Sequence, residues 1–361
     1  MPKIISVVGA RPQFIKAALV SKRLRQLGVR EILIHTGQHY DFEMSEIFFQ
    51  ELGIPKPDHF LGIGGLSHGK MTGRMIEKLE EVFGYEKPKL VVVYGDTNST
   101  LAGALAAVKL HIPVAHVEAG MRSFRFDMPE EINRVLTDRI STLLFCSTRN
   151  AFENLKREGF PFAISKSQKQ RIYITGDVMK DTLLLFKKFA KKPEFDIPQR
   201  YAIATIHREE NTDNAQKLRN IFSALDEISR KIPVVVAIHP RTQKKIKEFN
   251  INLKRVILIP PVSYLEMIYL VSNSEIVMTD SGGLQKEAFL LSKKCITLRD
   301  ETEWVELVQG GYNLLAGANK SRIIRSFEKM MSSKISFRSK LYGDGKAHQK
   351  IADIVIRYVS G

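Results

Sequence analysis

Short apolar runs that favour β-strands alternate along the whole chain with longer stretches that favour helices, and this pattern constrains the fold most strongly. Helices are predicted, for example, at residues 72–82, 100–109 and 216–228. Alternation of this kind predicts an α/β fold in which parallel sheets carry helices on both faces. The predicted strands are residues 4–8, 31–35, 90–93, 114–117, 143–146, 172–175, 202–206, 234–238, 256–259, 276–278 and 295–298.

The length of 361 residues predicts about two domains. We predict two Rossmann-like domains, residues 1–168 and 169–348, that face each other across a cleft. The polar segment 165–171 is the predicted connector, and the C-terminal helix within residues 349–361 is predicted to return to the first domain. Because ligands of open parallel sheets bind beyond the carboxyl ends of the strands, the residues that follow strands are the candidates for function.

The composition indicates sizeable cores and a basic surface. Hydrophobic residues make up 44% of the chain and charged residues 26%, with a formal net charge of +16. The lysines are spread along the chain without an aromatic-interleaved basic stripe, so we predict no nucleic-acid partner. No apolar run reaches about 18 residues, which predicts no membrane span and no membrane partner. Two cysteines, Cys146 and Cys295, without a Cys-x-x-Cys pair, favour a reducing cytoplasm over a disulfide framework or a zinc site.

The run from Asp280 to Glu287 predicts a strand, a Ser-Gly-Gly turn and the first turn of a helix. Adjacent glycines, Gly282 and Gly283, allow a close approach of backbone to a ligand, and a helix N-terminus after Ser281 offers N–H groups to an anion. Glu287, one turn further, is placed to hold ribose hydroxyls beside a phosphate. The alternative is an ordinary strand-to-helix turn, since a short glycine motif is a weak signal by itself.

A second loop of the same type opens the chain. Residues 3–8 form an apolar strand, and Gly9, Ala10, Arg11 and Pro12 turn into a helix that carries Lys16. Arg11 and Lys16 therefore bring two cations to the end of this strand. Either could instead be a solvated surface charge, but two phosphate-type loops in the two halves of one chain strengthen the functional interpretation.

Acidic residues follow two further predicted strands. Asp96 follows residues 90–93 and Glu118 follows residues 114–117, and Glu130 lies further along the chain beside Arg134. Neighbouring parallel strands lie about 4.8 Å apart, so Asp96 and Glu118 could reach one site and act as general acid and base. The alternatives are a helix cap for Asp96 and local N–H partners for Glu118.

Two histidines lie at or near strand ends. His207 follows a strand beside Arg208, a position from which it could bind a phosphate or transfer protons. His116 lies within a strand and is predicted to be a hydrogen-bonded core residue. No histidine shows a defensible metal-ligand spacing, so no metal site is predicted.

An ordered set of motifs carries a resemblance to a known family. The runs are Gly9-Ala10-Arg11-Pro12 with Lys16, Tyr94-Gly95-Asp96-Thr97, His116-Val117-Glu118-Ala119-Gly120, Pro129-Glu130-Glu131-Ile132-Asn133-Arg134, His207-Arg208 and Asp280-Ser281-Gly282-Gly283. Together they resemble the non-hydrolysing UDP-N-acetylglucosamine 2-epimerases over nearly the whole chain. The resemblance implies a glycosyltransferase-B-like architecture, a UDP-sugar substrate, a homodimer, and a reaction that needs neither a cofactor nor a metal ion.

The same resemblance implies roles for individual residues. Asp96, Glu118 and Glu130 match the family's catalytic carboxylates, and His207 is predicted to act with them. The implied reaction interconverts UDP-GlcNAc and UDP-ManNAc by eliminating UDP across C1 and C2 and adding it back with a proton on the opposite face. The residues implied to contact the nucleotide sugar are Arg11, Lys16, Arg134, Ser281, Gly282, Gly283 and Glu287.

Two departures from the family pattern leave the sugar and the regulation open. Trp304 stands where common members have a ligand-contacting arginine, and the surrounding run 299–306 resembles a branch acting on UDP-2,3-diacetamido-2,3-dideoxy-glucuronate. UDP-GlcNAc remains the predicted substrate because it is the commonest in the family. The residues that match an allosteric UDP-GlcNAc site of some bacterial members are Gln38, His39 and Arg74, whereas Asp41 replaces a usual glutamine.

Two other activities fit the same scaffold. A glycosyltransferase would use similar phosphate loops and UDP, but it need not remove the C2 proton, so the three acids favour epimerisation. A hydrolysing 2-epimerase would release UDP, whereas the Arg11-Pro12 loop resembles the non-hydrolysing branch.

Overall fold

A computed structural model describes residues 1–38, 56–164, 169–337 and 340–361 of the chain. The chain divides into two compact units. Unit 1 consists of Met1–Leu185 together with Lys340–Gly361, and unit 2 consists of Phe186–Ser339. Within the described ranges, no helix is both long enough and apolar enough to cross a membrane.

Unit 1 contains a parallel sheet of seven strands in the order β3-β2-β1-β4-β5-β6-β7. Its inner strands are buried on both faces, which explains their nearly continuous apolar sequences. Up to the unit boundary its elements are β1 (Lys3–Val8), α1 (Arg11–Gln26), β2 (Arg30–His35), β3 (His59–Phe60), α2 (His68–Glu86), β4 (Leu90–Tyr94), α3 (Asn98–Lys109), β5 (Val114–Ala119), α4 (Pro129–Ile140), β6 (Leu143–Cys146), α5 (Arg149–Arg157), β7 (Arg171–Ile174) and α6 (Val178–Phe186).

Unit 2 contains a parallel sheet of six strands in the order β10-β9-β8-β11-β12-β13. A short 3₁₀ turn, Lys187–Phe189, precedes it, and the last helix of the chain, α14, belongs to unit 1. The remaining elements are β8 (Ala202–Thr205), α7 (Glu209–Thr212), α8 (Ala215–Ile228), β9 (Val234–Ala237), α9 (Pro240–Glu248), β10 (Ile257–Ile259), α10 (Tyr264–Asn273), β11 (Ile276–Thr279), α11 (Gly282–Leu290), β12 (Lys294–Thr297), α12 (Val305–Gln309), β13 (Asn313–Leu315), α13 (Lys320–Ser332) and α14 (Ala347–Ser360).

The predicted strands and helices are confirmed with small shifts at their ends, and the α/β class with them. One placement differs. The strand predicted at residues 172–175 pairs with β6 as β7, so it completes the sheet of unit 1 instead of opening that of unit 2. The chain consequently passes from unit 1 to unit 2 at Leu185, later than the predicted division after residue 168. The short strands β3 and β13 were not predicted, because two or three residues carry too little periodic signal.

Each sheet has a point where the strand order reverses, and such a point creates a binding position at the carboxyl ends of the strands. In unit 1 this point lies between β1 and β4, and in unit 2 it lies between β8 and β11. The loops that follow these four strands lead to Arg11, Asp96, His207 and Ser281 respectively. The topology therefore places one predicted site residue from each of the four motifs beside a switch point.

Candidate active site

In unit 1, the buried side chain of Gln13 joins the loops that follow β1 and β4. Its Oε1 accepts hydrogen bonds from the N–H groups of Gly9 at 2.8 Å and Ala10 at 3.0 Å. Its Nε2 donates to the carbonyl of Tyr94 at 2.8 Å and to Oγ1 of Thr100 at 3.0 Å. Because both ends of the amide are used, Gln13 fixes the two loops relative to each other.

Lys16 and Glu118 form a buried ion pair close to the end of β4. Gly95 lies against this pair, and a Cβ on Gly95 would come within 2.8 Å of Lys16 Nζ and 3.5 Å of Glu118 Oε2. A side chain at position 95 would therefore displace the end of Lys16, and the φ of +65° at this position also favours glycine. The pair consequently sits beside the peptide that leads into Asp96.

Asp96 is held by two residues of α4. Its Oδ2 accepts hydrogen bonds from Arg134 Nε at 3.0 Å and Nη2 at 2.7 Å, and its backbone carbonyl accepts one from Asn133 Nδ2 at 2.9 Å. The Asp96 side chain is 32% exposed, whereas that of Arg134 is 5% exposed. The carboxylate therefore combines a fixed orientation with access to a ligand.

Glu130 and Glu131 occupy the first turn of α4 but lie in different environments. Glu130 is half-buried, and Glu131 is buried. Glu131 accepts hydrogen bonds from the N–H groups of Ser123 and Phe124, both at 2.9 Å, and from Arg134 Nη1 at 2.7 Å. Glu131 thus fixes the loop that precedes α4, while Glu130 has the more accessible position.

In unit 2, the buried carboxylate of Asp280 organises the loop after β8. It accepts hydrogen bonds from the backbone N–H of His207 at 3.1 Å and of Arg208 at 3.0 Å, and from Asn211 Nδ2 at 3.1 Å. Nδ1 of His207 lies 3.4 Å from the same carboxylate, and the His207 side chain is 40% exposed. Asp280 therefore orients His207 with its ring accessible to solvent.

The predicted phosphate loop has the expected strand–turn–helix form. Ser281 is the N-cap of α11, and its Oγ accepts a hydrogen bond from the N–H of Leu284 at 3.4 Å. Gly282 and Gly283 begin the helix, and Glu287 is buried one turn later. The first turn of α11 therefore presents main-chain groups, as an anion-binding helix end requires.

Trp304 packs directly against this loop. Its Nε1 donates a hydrogen bond to the carbonyl of Gly282 at 2.9 Å, and it is 7% exposed. The ammonium group of Lys286, a fully buried residue, lies 4.0 Å from the centre of the Trp304 indole. A cation this close to an indole face is stabilised by the ring quadrupole. Trp304 thus links the phosphate loop to a buried cation.

His239 lies near His207, with 6.1 Å between the two ring centres. Burial, followed by the positive charges of His207 and Arg241, lowers the pKa of His239, although Asp280 acts in the opposite direction. Its Nδ1 accepts a hydrogen bond from the N–H of Arg241 at 3.2 Å and so caps α9. His239 directly follows the predicted strand 234–238 and so is one of the candidates that follow strands, although no specific role was predicted for it.

The remaining predicted residues are Arg11 and the three candidates for an allosteric site. Arg11 is the first residue of α1. Of the candidate allosteric set, Gln38 accepts hydrogen bonds from the N–H and Oγ of Ser99, at 3.0 and 2.7 Å. Arg74 is exposed on α2, and His39 lies outside the described residues. The allosteric role of this set stays a prediction.

Comparison with known proteins decides the family. The family model described as UDP-N-acetylglucosamine 2-epimerase matches residues 22–356. The chain belongs to this epimerase family. The predicted resemblance is therefore confirmed, and the family is one of isomerases.

Relatives of this epimerase-family chain differ in the sugar that their names specify. It is 52% identical over 358 residues to the UDP-2,3-diacetamido-2,3-dideoxy-D-glucuronate 2-epimerase of Pseudomonas aeruginosa, covering 98% of this chain and 99% of the relative. It is 43% identical over 368 residues to the UDP-N-acetylglucosamine 2-epimerase of Methanocaldococcus jannaschii, covering 98% of each.

Solved structures of the family share the fold. The crystal structure of M. jannaschii UDP-GlcNAc 2-epimerase in complex with UDP-GlcNAc and UDP matches with a TM-score of 0.89 at 42% identity, covering 99% of both chains. The Neisseria meningitidis enzyme bound to UDP-GlcNAc matches with a TM-score of 0.86 at 32% identity, covering 98% of this chain and 100% of that one. MurG of Acinetobacter baumannii, at 13% identity and a TM-score of 0.54, shows a likeness of fold alone. The glycosyltransferase-B-like fold class is confirmed.

Three residues whose hydrogen bonds hold loops of the candidate site were missed from the sequence. They are Gln13, Asp280 and Asp138, the last of which accepts a hydrogen bond from the N–H of Gly120 at 3.0 Å. Gln13 and Asp138 lie inside helices, and their partners are distant in the sequence. Asp280 belongs to the predicted phosphate loop, but its contacts to His207 and Asn211 cross from β11 to the loop after β8. A polar residue at a buried helical position was the available signal for Gln13 and Asp138, because such a residue requires a hydrogen-bond partner.

Proposed function

We propose that this protein is a non-hydrolysing UDP-N-acetylglucosamine 2-epimerase that interconverts UDP-GlcNAc and UDP-ManNAc. The observation that carries the proposal is the placement of two carboxylates, each with a cation, around the end of β4. Glu118 pairs with Lys16, Asp96 pairs with Arg134, and Gly95, which lies against the first pair, directly precedes Asp96. Family membership and the 43% identity to the M. jannaschii UDP-N-acetylglucosamine 2-epimerase support the choice of reaction.

The proposed chemistry explains why carboxylates and cations occur together. The C2 proton has no adjacent carbonyl to acidify it, so simple removal and return is unfavourable. In the proposed route a carboxylate removes the C2 proton while the C1–O bond breaks, and its electron pair leaves with UDP to give a glycal. UDP then adds back at C1, and an acid delivers a proton to the opposite face of C2. Asp96, Glu118 and Glu130 are the groups proposed for these proton transfers.

Unit 2 is proposed to bind the UDP group. The diphosphate is an anion throughout elimination and re-addition, so N–H groups and cations must stabilise it. Ser281, Gly282 and Gly283 supply the first turn of α11, and His207 lies at the other side of the strand switch point. Glu287 is proposed to hold the ribose hydroxyls, and Arg11 and Lys16 are proposed contacts of the nucleotide sugar.

A second candidate substrate is UDP-2,3-diacetamido-2,3-dideoxy-glucuronate. Two observations favour it. The P. aeruginosa relative named for this sugar is 52% identical to the chain, and Trp304 packs on the phosphate loop where common family members have an arginine. The same elimination and re-addition would serve this sugar, since the reacting carbons are again C1 and C2.

We further propose a cytoplasmic homodimer that supplies a nucleotide sugar for polysaccharide biosynthesis without a cofactor. Apolar side chains around the start and outer face of α4 support a dimer. Phe124 is 66% exposed, Phe126 64%, Ile132 40% and Leu136 44%. Apolar surface grouped in this way is typical of an interaction surface.

An NMR time course in deuterated water tests the reaction and the sugar together. Each UDP-sugar is incubated with the enzyme alone, and the 2-epimer is expected to appear with deuterium at C2. Faster turnover of the diacetamido-glucuronate would select the second substrate. Release of free UDP and sugar would identify a hydrolysing enzyme, and no product without an added acceptor would favour a glycosyltransferase. Epimer without C2 exchange would contradict proton transfer through a solvent-exchanging acid.

A further inference from the structure

A fully buried histidine lies between two hydrogen-bond acceptors in unit 1. Nδ1 of His116 is 2.7 Å from Oδ1 of Asp138, and Nε2 is 2.7 Å from the carbonyl oxygen of Gly95. A carboxylate and a carbonyl both accept, so each ring nitrogen has to donate. Only the imidazolium form has two N–H groups, so the geometry around His116 fits a buried cation paired with Asp138.

The surrounding charges balance this cation. Oδ2 of Asp138 accepts hydrogen bonds from Arg122 Nη1 at 2.7 Å and from the N–H of Gly120 at 3.0 Å, and Arg122 also pairs with Glu158. Burial by itself would raise the pKa of Asp138, but the charges and hydrogen bonds of His116 and Arg122 outweigh it and lower that pKa. From β6, Cys146 faces the cluster as a neutral thiol, because burial raises its pKa.

The two oxygens of Asp138 accept hydrogen bonds from residues on either side of Glu118 in the sequence. One accepts from His116, two residues before Glu118, and the other accepts from Gly120, two residues after it. Between them, the pairing of β5 with β6 shifts register at Val117 and Ala119, and Glu118 has a φ of +75°. A residue other than glycine is about 1–2 kcal/mol less stable in this left-handed conformation, so contacts from outside β5 must stabilise the bulge. Asp138 provides that support on both sides of it.

The same cluster holds the peptide that precedes Asp96. His116 Nε2 donates to the carbonyl of Gly95, whose φ of +65° turns the chain at the end of β4. Since the peptide group is planar, fixing this carbonyl also fixes the direction in which the chain enters Asp96. Asp96 itself is held by Arg134 and Asn133. Both belong to α4, the helix that also contains Asp138.

We propose that Asp138 and His116 are positioning residues that align the two candidate acids Asp96 and Glu118 through a buried imidazolium–carboxylate pair. The proposal rests on the proposed epimerase function for its kinetic consequences. Neither side chain contacts the substrate; Asp138 acts through His116 and Gly120, and His116 acts through Gly95. Their removal should therefore lower turnover more than it weakens binding of UDP, which is proposed to bind to unit 2.

Two variants of Asp138 distinguish the effect of its hydrogen bonds from the effect of its negative charge. Asp138→Asn retains an oxygen for Gly120 and Arg122, and its amide can donate to Nδ1 of a neutral His116 that still donates to Gly95. Asp138→Ala removes every one of these bonds. We expect Asp138→Ala to lower kcat by about 100-fold with the Kd for UDP nearly unchanged, since a misplacement of about 1 Å has this effect. Asp138→Asn should recover most of the loss. An Asn variant as slow as the Ala variant, or an Ala variant with ordinary kcat, would overturn the positioning role.

A spectroscopic measurement on the wild-type protein stands independently of activity and of variant folding. With ¹⁵N-labelled histidine, His116 should show two protonated ring nitrogens near neutral pH, with slowly exchanging N–H protons. Assignment uses the loss of these signals in His116→Gln. A His116 resonance pair typical of a neutral ring would overturn the buried pair. An imidazolium signature in a protein that epimerises neither UDP-sugar would instead reject the proposed function while leaving the pair in place.

Discussion

Arg134 donates two hydrogen bonds to a single oxygen of Asp96, from Nε at 3.0 Å and from Nη2 at 2.7 Å. Within the described residues, no hydrogen bond to the other oxygen, Oδ1, is found. The arrangement balances the charge of the carboxylate and fixes its orientation, while the Asp96 side chain stays 32% exposed. Arg134, predicted from the sequence to contact substrate, therefore also orients the Asp96 carboxylate.

Arg134→Lys tests this task. A lysine retains the charge but lacks the planar fork, so it cannot place two donors on one oxygen and a third on Glu131. We expect kcat to fall by about 10- to 100-fold through misalignment of Asp96. Steady-state kinetics with the preferred UDP-sugar measure the change. A variant that raises KM while kcat stays constant would show that Arg134 serves binding only.

The three candidate acids should affect turnover far more than UDP affinity. Asp96→Asn, Glu118→Gln and Glu130→Gln each retain the size of the side chain but remove its ability to exchange a proton. Loss of a positioned acid or base costs about 10²- to 10⁴-fold, so kcat should fall within this range. Calorimetry with UDP is expected to give unchanged affinity. Near-normal turnover in any one variant would remove that residue from the proposed mechanism.

Glu131 provides a matched control for Glu130, because the two are adjacent and differ in their surroundings. Glu131 is buried and accepts from two backbone N–H groups and from Arg134, so Glu131→Gln weakens a charge-assisted network. We expect a loss of about 1–3 kcal/mol in the free energy of unfolding. Glu130→Gln, at a half-buried position, should lower the free energy of unfolding less. Denaturation monitored by circular dichroism compares them, and equal destabilisation by both would contradict the assignment.

Trp304 is expected to influence the choice of sugar. In Trp304→Arg a guanidinium replaces the indole beside the buried ammonium of Lys286. The hydrogen bond that the indole N–H donates to the Gly282 carbonyl is lost. If the indole selects the sugar, the ratio of kcat/KM for UDP-GlcNAc to that for UDP-2,3-diacetamido-glucuronate rises in this variant. Trp304→Phe keeps an aromatic face without the N–H and serves as the control. An unchanged ratio in Trp304→Arg would leave Trp304 as a packing residue.

His239 should make stability depend on pH. Because burial and neighbouring cations lower its pKa in the folded state, the unfolded chain binds the proton more readily. Stability is therefore complete above the unfolded value of about 6.5 and declines as the pH falls below it. Protonation also removes the bond that Nδ1 accepts from Arg241. We expect His239→Asn, a non-titrating helix cap, to show a smaller fall in Tm between about pH 7.5 and pH 5 than the wild type. Parallel Tm curves would contradict this role for His239.

Local sequence determined the elements and the motif loops of this protein. Apolar runs of strand length, the Ser281-Gly282-Gly283 turn and the Arg11-Pro12 helix start each depend on residues that are neighbours in the chain. Backbone preferences and side-chain periodicity act over such short distances, so the strands, the helix starts and the carboxylates at strand ends were predictable.

Tertiary structure alone decided which strands pair and which side chains meet. Strand β7 belongs to the sheet of unit 1 because it pairs with β6. The sequence of β7 by itself does not indicate this pairing. Hydrogen bonds join residues of separate elements, as from Gln13 to Tyr94 and from His116 and Gly120 to Asp138. Such contacts are set by the packing of the whole unit, because a buried polar group requires a partner but does not specify where in the chain that partner lies.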